Sequence, residues 1–215
     1  MTRPRVRRIP EPAIPPHLEV GDVTDLDDAT TSGVDLTGAV LTTLREAQVD
    51  ASDLSRVRAG GAAWERVTLA DCRLDGADLA NLVWREGSLM RCSVRDARLT
   101  GALLVGVRAR STLLEGVQAK LTTWHGTQLR RVVLRGCDLS EATFTETVFD
   151  DVLLEDCDLS GAQLSGLRCT DVELRDCRLD GIGGVTALRG ATVTGDDAVA
   201  LLPAMARELG IVIRD

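Results

Sequence analysis

The chain has 215 residues, 44% of them hydrophobic, so it is long enough to bury a substantial core. Only 2% of the residues are aromatic and there is no Tyr, so a conventional layered core would lack its usual bulky side chains. The formal charge of −8 argues against general nucleic-acid binding, and no segment reaches the roughly 18 apolar residues of a membrane span.

The first 30 residues hold five of the six prolines and begin MTRPRVRRIPEPAIPP. This start is basic but lacks the apolar run of a secretory signal, so we expect a cytoplasmic protein. Proline-rich segments with few large apolar side chains bury too little surface to order themselves. The composition therefore predicts a flexible arm over residues 1–30.

A five-residue repeat begins at Leu44 and continues in one phase to Gly184. Every fifth residue is large and apolar or small, and the residue two places before it is small or apolar too. Neither position holds a charge, although 27% of the chain is charged, and all Trp and Phe residues occupy the fifth positions. Residues two apart on an extended segment point the same way, whereas Gly and Asp, common two places later, favour a turn. The repeat predicts a solenoid with a corner every five residues.

A second period of 20 residues indicates how many corners make one coil. Trp64, Trp84 and Trp124 are separated by multiples of 20, and Cys72 and Cys92 are 20 apart. Four five-residue sides per coil would stack each set in one column. At about 4.8 Å per coil, roughly seven coils make a rod on the order of 35 Å long. The earlier pair Leu36 and Leu41 is out of phase, which predicts an initial partial coil.

Units such as DCRLD, GADLA, GCDLS, EATFT and GAQLS resemble the pentapeptide-repeat family. The resemblance implies an all-β solenoid, a right-handed quadrilateral β-helix of about seven to eight coils with a short C-terminal helix. We assign this solenoid to residues 31–194 and a capping or dimerisation helix with a short strand to residues 195–215.

The segment DDAVALLPAMARELGIVIRD carries the helix prediction. Asp196 or Asp197 is suited to cap the N-terminus, and Gly210 is suited to end the helix. Pro203 either kinks the helix or occupies its first turn. Residues 211–213 would form the strand. An apolar stripe at helical spacing comprises Val199, Leu202, Met205 and Leu209.

No residue pattern indicates catalysis. Five cysteines occupy the inward small position and Cys169 a fifth position, which is typical of small core residues in a reduced compartment. His17 and His125 lack evident acidic or metal-binding neighbours, and no nucleophile elbow, phosphate loop or dinucleotide motif is present. We therefore expect no enzyme activity, no cofactor and no metal.

Charge is unevenly distributed along the solenoid. Residues 85–135 contain ten bases and three acids, whereas residues 136–167 contain eight acids and no base. A mixed solvated surface and a partner-binding surface are both compatible with this pattern. The candidate acidic binding surface comprises Asp138, Glu141, Glu146, Asp150, Asp151, Glu155, Asp156 and Asp158.

The resemblance implies one specific function. Some bacterial family members are dimers that mimic duplex DNA, bind type II topoisomerases such as DNA gyrase, and protect them from quinolones. The segment GATVTGDDAVALLPAMARELGI is similar to the helix through which actinobacterial members dimerise, which would place the apolar stripe in a homodimer interface. No direct DNA binding is expected. The alternative is a scaffold with a non-topoisomerase partner, bound through the arginine-rich coils or the basic arm.

Overall fold

The protein is described by a computed structural model over residues 8–23 and 26–212. The chain forms a parallel β-solenoid of about eight turns with one C-terminal helix. The expected all-β solenoid is therefore confirmed. Among the described residues, no helix has the length and apolar character needed to cross a bilayer.

Most strands are three residues long because each five-residue unit supplies only a short extended segment. Three strands have only two residues, and four strands of eight residues continue across a corner. A short 3₁₀ helix, Val185–Leu188, precedes the last strand. The strands are β1 Glu19–Val20, β2 Thr30–Ser32, β3 Val34–Asp35, β4 Thr43–Arg45, β5 Gln48–Asp50, β6 Ala63–Glu65, β7 Thr68–Ala70, β8 Val83–Arg85, β9 Ser88–Met90, β10 Ser93–Arg95, β11 Leu103–Val105, β12 Arg108–Glu115, β13 Thr123–His125, β14 Gln128–Arg135, β15 Thr143–Thr145, β16 Val148–Glu155, β17 Arg168–Arg175 and β18 Thr192–Val193; the helix is α1, Gly195–Glu208.

The turns stack in the predicted 20-residue register. Trp64 pairs with Trp84, and the same spacing relates paired strands from β5 to β17. One side of the solenoid is the sheet β4–β6–β8–β11–β13–β15, and a larger sheet covers two more sides. Isolated parallel bridges link the turns on the fourth side. The first turn is two residues shorter, since Thr30 pairs with Gln48, and this explains why Leu36 and Leu41 are out of phase.

The corner lies two residues after each inward apolar residue, as the repeat predicts. At every fifth position from Glu46 to Gly181 the backbone has a positive φ, between about +48° and +71°. Most of these corners are not glycine; Leu121 and Arg131 are examples. A left-handed residue with a Cβ costs roughly 1–2 kcal/mol, so the ladder bonds and core contacts on both sides of each corner must offset a repeated local strain.

The inward positions form one continuous apolar core. Trp64 and Trp84 meet edge to face with centroids 5.3 Å apart, and Trp124 stacks on Phe144 at 5.8 Å. Their exposed fractions are 4% or less. The prediction that the aromatic residues pack inside is therefore confirmed. Aromatic contacts of this kind add about 0.5–1.5 kcal/mol beyond area burial.

The C-terminal helix begins earlier than the sequence indicates. Thr194, and not Asp196 or Asp197, is the N-cap; Asp197 is the third helical residue and completes a capping box. Pro203 lies inside the helix and not in its first turn. The Pro203 side chain is exposed, so water can reach the carbonyl that its missing N–H leaves unbonded.

The end of the helix follows the predicted glycine signal. Gly210 has φ +71°, which completes the termination after Leu209. Ile211 and Val212 lie in no strand, and position 213 lies outside the described residues.

The described part of the predicted arm lies against the solenoid. Glu11 Oε1 accepts a hydrogen bond of 2.6 Å from Arg95, and the Ala13 N–H donates to Asp71 Oδ1 at 3.3 Å. Further along, β1 pairs with β3, and Leu26 is 1% exposed. The first turn of the solenoid thus begins before position 31, with Leu26 in the core, and residues 1–7 of the predicted arm lie outside the described range.

The neighbouring glycines Gly60 and Gly61 provide a matched test of the corner geometry. Gly61 is a corner with φ +71° and open space where a methyl group would lie, whereas Gly60 has no positive φ and a methyl group there would make only ordinary contacts. We predict that Gly61→Ala lowers the free energy of unfolding by about 1 kcal/mol. Gly60→Ala should be neutral or raise that free energy by up to about 1 kcal/mol, because alanine restricts the unfolded chain. Urea unfolding measures both, and equal effects would contradict the assignment of the corner.

Candidate protein-binding surfaces

The four sides of the solenoid are named by the inward residues at which their columns begin. Face 1 begins at Leu44, face 2 at Val49, face 3 at Leu54 and face 4 at Ala59. Each unit sends the residues before and after its inward apolar residue outward, and the corner residue lies at the edge. Since register partners are 20 residues apart, outward residues with that spacing are neighbours along the rod.

Face 3 carries a ladder of alternating charges, which we call the charge ladder. Arg135 Nε lies 2.8 Å from Glu155 Oε2, and its Nη1 lies 3.3 Å from Glu115 Oε1. Arg175 Nη1 lies 2.8 Å from the other oxygen of Glu155. Each inner member therefore contacts a partner on both sides. The charge ladder comprises Asp75, Arg95, Glu115, Arg135, Glu155 and Arg175.

Within the charge ladder, the pKa of one carboxyl group is lowered and that of another is raised. Hydrogen bonds from Arg135, and then from Arg175, hold the pKa of Glu155 below its usual value despite partial burial. At the other end, burial outweighs the charges of Arg95 and Arg73 and raises the pKa of Asp75. Glu155 is therefore the most strongly supported acid in the charge ladder, with arginine on either side.

The eight predicted acidic residues point outward, but the structure does not bring them onto one face. Face 2 carries Asp150 and Asp151, face 3 carries Glu155 and Asp156, and the others lie on face 4 or at the corners beside face 1. We call this ring around the rod the acidic belt. A ring of charge presents only a few acids to any one partner surface.

Basic residues from neighbouring turns compensate most of the acidic belt. Among the described residues, five of its eight members form ion pairs, four of them with bases 20 or 21 residues away and Glu155 with bases on both sides. The charge segregation along the sequence thus becomes charge pairing between turns. The four other pairs are Glu141–Lys120 at 2.9 Å, Asp150–Arg130 at 3.1 Å, Asp151–Arg131 at 3.8 Å and Asp158–Arg178 at 3.2 Å.

The bases of residues 85–135 are spread over the four sides. Arg95 and Arg135 belong to the charge ladder, and Arg98 on face 4 binds Asp78 at 2.6 Å. Face 2 receives the largest group, which we call the arginine cluster. It comprises Arg91, Arg108, Arg110, Arg130 and Arg131.

The apolar stripe of α1 faces solvent. Leu201 and Ala204 on the opposite side of the helix are buried against the solenoid. Two carboxylates anchor the helix, because Asp197 accepts from the Cys177 N–H at 2.8 Å and Glu208 from the Val185 N–H at 2.7 Å. The exposed fractions of the stripe are 65% for Val199, 55% for Leu202, 46% for Met205 and 70% for Leu209.

The stripe borders a largely apolar recess. A groove of about 350 Å³ lies between the 3₁₀ helix and α1. Val185, Leu188 and Leu201 line the groove, and Met205 and Leu209 belong to both the groove and the stripe. The end of the rod therefore presents one continuous apolar surface.

The interior offers little space for a ligand. The cavity enclosed between the turns has a volume of about 30 Å³ and apolar walls, which is room for about one water molecule. The cysteines at inward small positions are buried free thiols, whereas Cys169 is half-buried and burial raises its pKa to about 11. His17 and His125 are exposed. Across residues 8–23 and 26–212, no group of three or more His, Cys, Asp and Glu side chains is placed to hold a metal.

Two features escaped the sequence analysis. The charge ladder is readable as alternating signs at positions 75, 95, 115, 135, 155 and 175, but only when charges are compared 20 residues apart. The anchoring role of Glu208 has no such signal, because its partners are backbone N–H groups of the 3₁₀ helix.

Comparison with known proteins finds a family of repeats in one part of the chain and solved structures of low sequence identity. A family model described as pentapeptide repeats (8 copies) matches residues 122–151 and 144–181. No curated protein matches the chain. HetL, a pentapeptide repeat protein involved in heterocyst differentiation regulation from the cyanobacterium Nostoc sp. strain PCC 7120, is 21% identical, with 78% of this chain and 86% of HetL covered and a TM-score of 0.40. Full-length QnrB1, a plasmid-mediated fluoroquinolone resistance protein, is 16% identical, with 85% of this chain and 100% of QnrB1 covered and a TM-score of 0.45.

The charge ladder predicts a pH-dependent cost for Glu155→Gln. Glutamine leaves Arg135 and Arg175 without their shared carboxylate, so we expect the free energy of unfolding at neutral pH to fall by about 1–2 kcal/mol. Because the folded-state pKa of Glu155 is lowered, its contribution is present above the usual Glu range and lost as the pH falls through the folded value. The difference in the free energy of unfolding between wild type and Glu155→Gln should therefore disappear in acid.

Urea unfolding across that pH range measures the gap. Glu146→Gln is the control, since it removes the same charge from an exposed corner outside the charge ladder. Equal losses in the two variants, or a gap at Glu155 that does not change with pH, would contradict the charge ladder's role.

Proposed function

The chain belongs to the pentapeptide-repeat family, and on that basis we propose that it is a non-catalytic, cytoplasmic protein-binding rod. The observation that carries this proposal is the division between inward and outward positions. Inward residues fill the core around a cavity with room for about one water molecule, whereas the charged side chains stand on four regular outer faces. Such faces suit recognition of another macromolecule better than conversion of a small substrate.

Two classes of partner compete. The family resemblance favours a type II topoisomerase, DNA gyrase first, bound through acidic residues that replace DNA phosphates and shield the enzyme from quinolone-like inhibitors. A DNA mimic needs uncompensated acids along its length, because phosphates dominate what a DNA-binding surface recognises. The acidic belt instead rings the rod, and most of its members are paired with bases. This geometry favours a scaffold with a non-topoisomerase partner.

The apolar end of the rod supports a homodimer joined through α1. The four stripe residues and the adjoining groove form one apolar surface that a monomer would leave in water. A second copy offers the same stripe about a two-fold axis, so each stripe could cover the other. Neither face of the proposed contact carries a charge at the stripe positions.

The gyrase proposal is tested by a supercoiling assay with purified protein, with and without a quinolone. Because the acidic belt is compensated, we expect neither inhibition nor rescue at low micromolar protein. Inhibition or drug rescue would contradict this expectation and assign the DNA-mimic function. In that event Asp150→Asn/Asp151→Asn should weaken the effect, and Asp53→Asn, on another part of the rod, should not.

The dimer proposal is tested by light scattering coupled to size exclusion. We expect twice the chain mass of 23.0 kDa for the wild type and the monomer mass for Leu202→Asp, because a buried unpaired carboxylate opposes association. Leu121→Asp is the control, since Leu121 is a similarly exposed leucine on the solenoid. A monomeric wild type, or a dimer that survives Leu202→Asp, would contradict the proposal.

A further inference from the structure

The arginine cluster occupies three successive turns of face 2. Arg108 and Arg110 point outward from β12, two residues and therefore about 7 Å apart. Arg130 is the register partner of Arg110 on the next turn. Arg91 and Arg131 stand at the corner edge on either side of Ser111. No acid occupies the outward positions of these three turns on this face.

The cluster is unfavourable for the isolated rod. Arg110 and Arg130 are directly opposite each other on adjacent strands, where like charges repel. Arg91 and Arg131 also have a φ of 53°, a strained conformation for arginine. The φ of 53° recurs at the corners along the whole rod, so the repulsion between the facing arginines is the cost that this surface adds, and such a cost is typical of a binding site, where function and stability conflict.

Charge compensation leaves the centre of the cluster positive. Arg91 pairs with Asp71, Arg130 with Asp150, and Arg131 with Asp151. Arg108 and Arg110 are exposed, and neither has an acidic partner within 4 Å in the described part of the chain. The unpaired guanidinium groups of Arg108 and Arg110 thus lie among three others that acidic partners hold in place.

A small recess beside these groups could receive an acidic side chain. It has a volume of about 270 Å³ and is lined by Met90, Arg91, Arg110 and Ser111. Guanidinium groups bind carboxylates through two parallel hydrogen bonds, and the arginine stems and Met90 add apolar contact. The recess therefore combines the charge and the shape that a glutamate or aspartate side chain requires.

We propose that the arginine cluster binds an extended acidic peptide segment of a partner protein, an inference that rests on the proposed protein-binding function. Carboxylates two residues apart in an extended peptide have about the 7 Å spacing of Arg108 and Arg110. A nucleic acid fits less well. All Trp and Phe residues are buried, so bases find no stacking platform on the described surface. Acids also bound the cluster at both ends, at Asp71 and at Asp150, which limits a ligand to a short acidic segment.

The test is binding of a short fluorescent poly-glutamate peptide to the full chain, measured by anisotropy at low salt. We expect saturable binding that weakens as salt is added. Arg108→Gln/Arg110→Gln should weaken binding at least about tenfold. Arg45→Gln/Arg58→Gln is the matched control, because it removes the same charge from faces 1 and 4, and it should change binding less than about twofold. A poly-glutamine peptide should not bind.

Three results would overturn the inference: no poly-glutamate binding at low salt, equal losses in the two double variants, or tighter binding of a DNA duplex than of the peptide. Unfolding curves of both variants exclude loss of the fold as the cause. The proposed protein-binding function and this binding site can be tested independently of each other. A captured partner that binds Arg108→Gln/Arg110→Gln as well as wild type would keep the protein-binding rod but remove this site.

Discussion

The left-handed corner after every inward apolar residue is the constraint on which the rest of this structure depends. At each corner the chain turns from one side of a quadrilateral to the next. The same two positions of each five-residue unit therefore always face inward. Because many corners carry Asp, Glu or Arg and not glycine, each turn includes local strain. Stacking of identical turns offsets that strain through ladder hydrogen bonds and the shared core.

The corner also determines where charge lies. Four equal sides give a 20-residue turn, so residues far apart in sequence become neighbours along the rod. Charges that look segregated along the chain are then interleaved, as the pairs Arg130–Asp150 and Arg135–Glu155 show. Where the interleaving fails, at Arg108 and Arg110, net positive charge remains on face 2. The charges on the surface of the rod must therefore be compared between residues 20 apart and not between consecutive residues.

Much of the fold was predictable because the repeat constrains every unit in the same way. The inward columns, the corner positions and the register pairing of Trp64 with Trp84 follow from the periods of five and 20. Features that occur once did not follow. The 18-residue first turn depends on how the chain enters the solenoid, and the cap at Thr194 depends on how α1 docks.

The residues of the candidate surfaces could be selected from the sequence, but their positions relative to one another could not. The eight acids point outward, and the four stripe residues Val199, Leu202, Met205 and Leu209 are exposed. Counting charges along consecutive residues suggested an acidic patch, whereas Coulomb interactions act through space between turns. Only the register shows that Asp150 lies beside Arg130.

We propose that the function of this rod resides in its outward side chains. The most direct measurement is quantitative affinity capture from bacterial lysate with the wild type and with four variants, each with the outward charges of one face made neutral. We expect a protein partner whose binding is saturable, is lost when the charges of one face are neutral, and is retained in the other three variants, with equal fold stability in all four. The proposal would be contradicted if no partner were captured, or if a partner bound all four variants as well as the wild type.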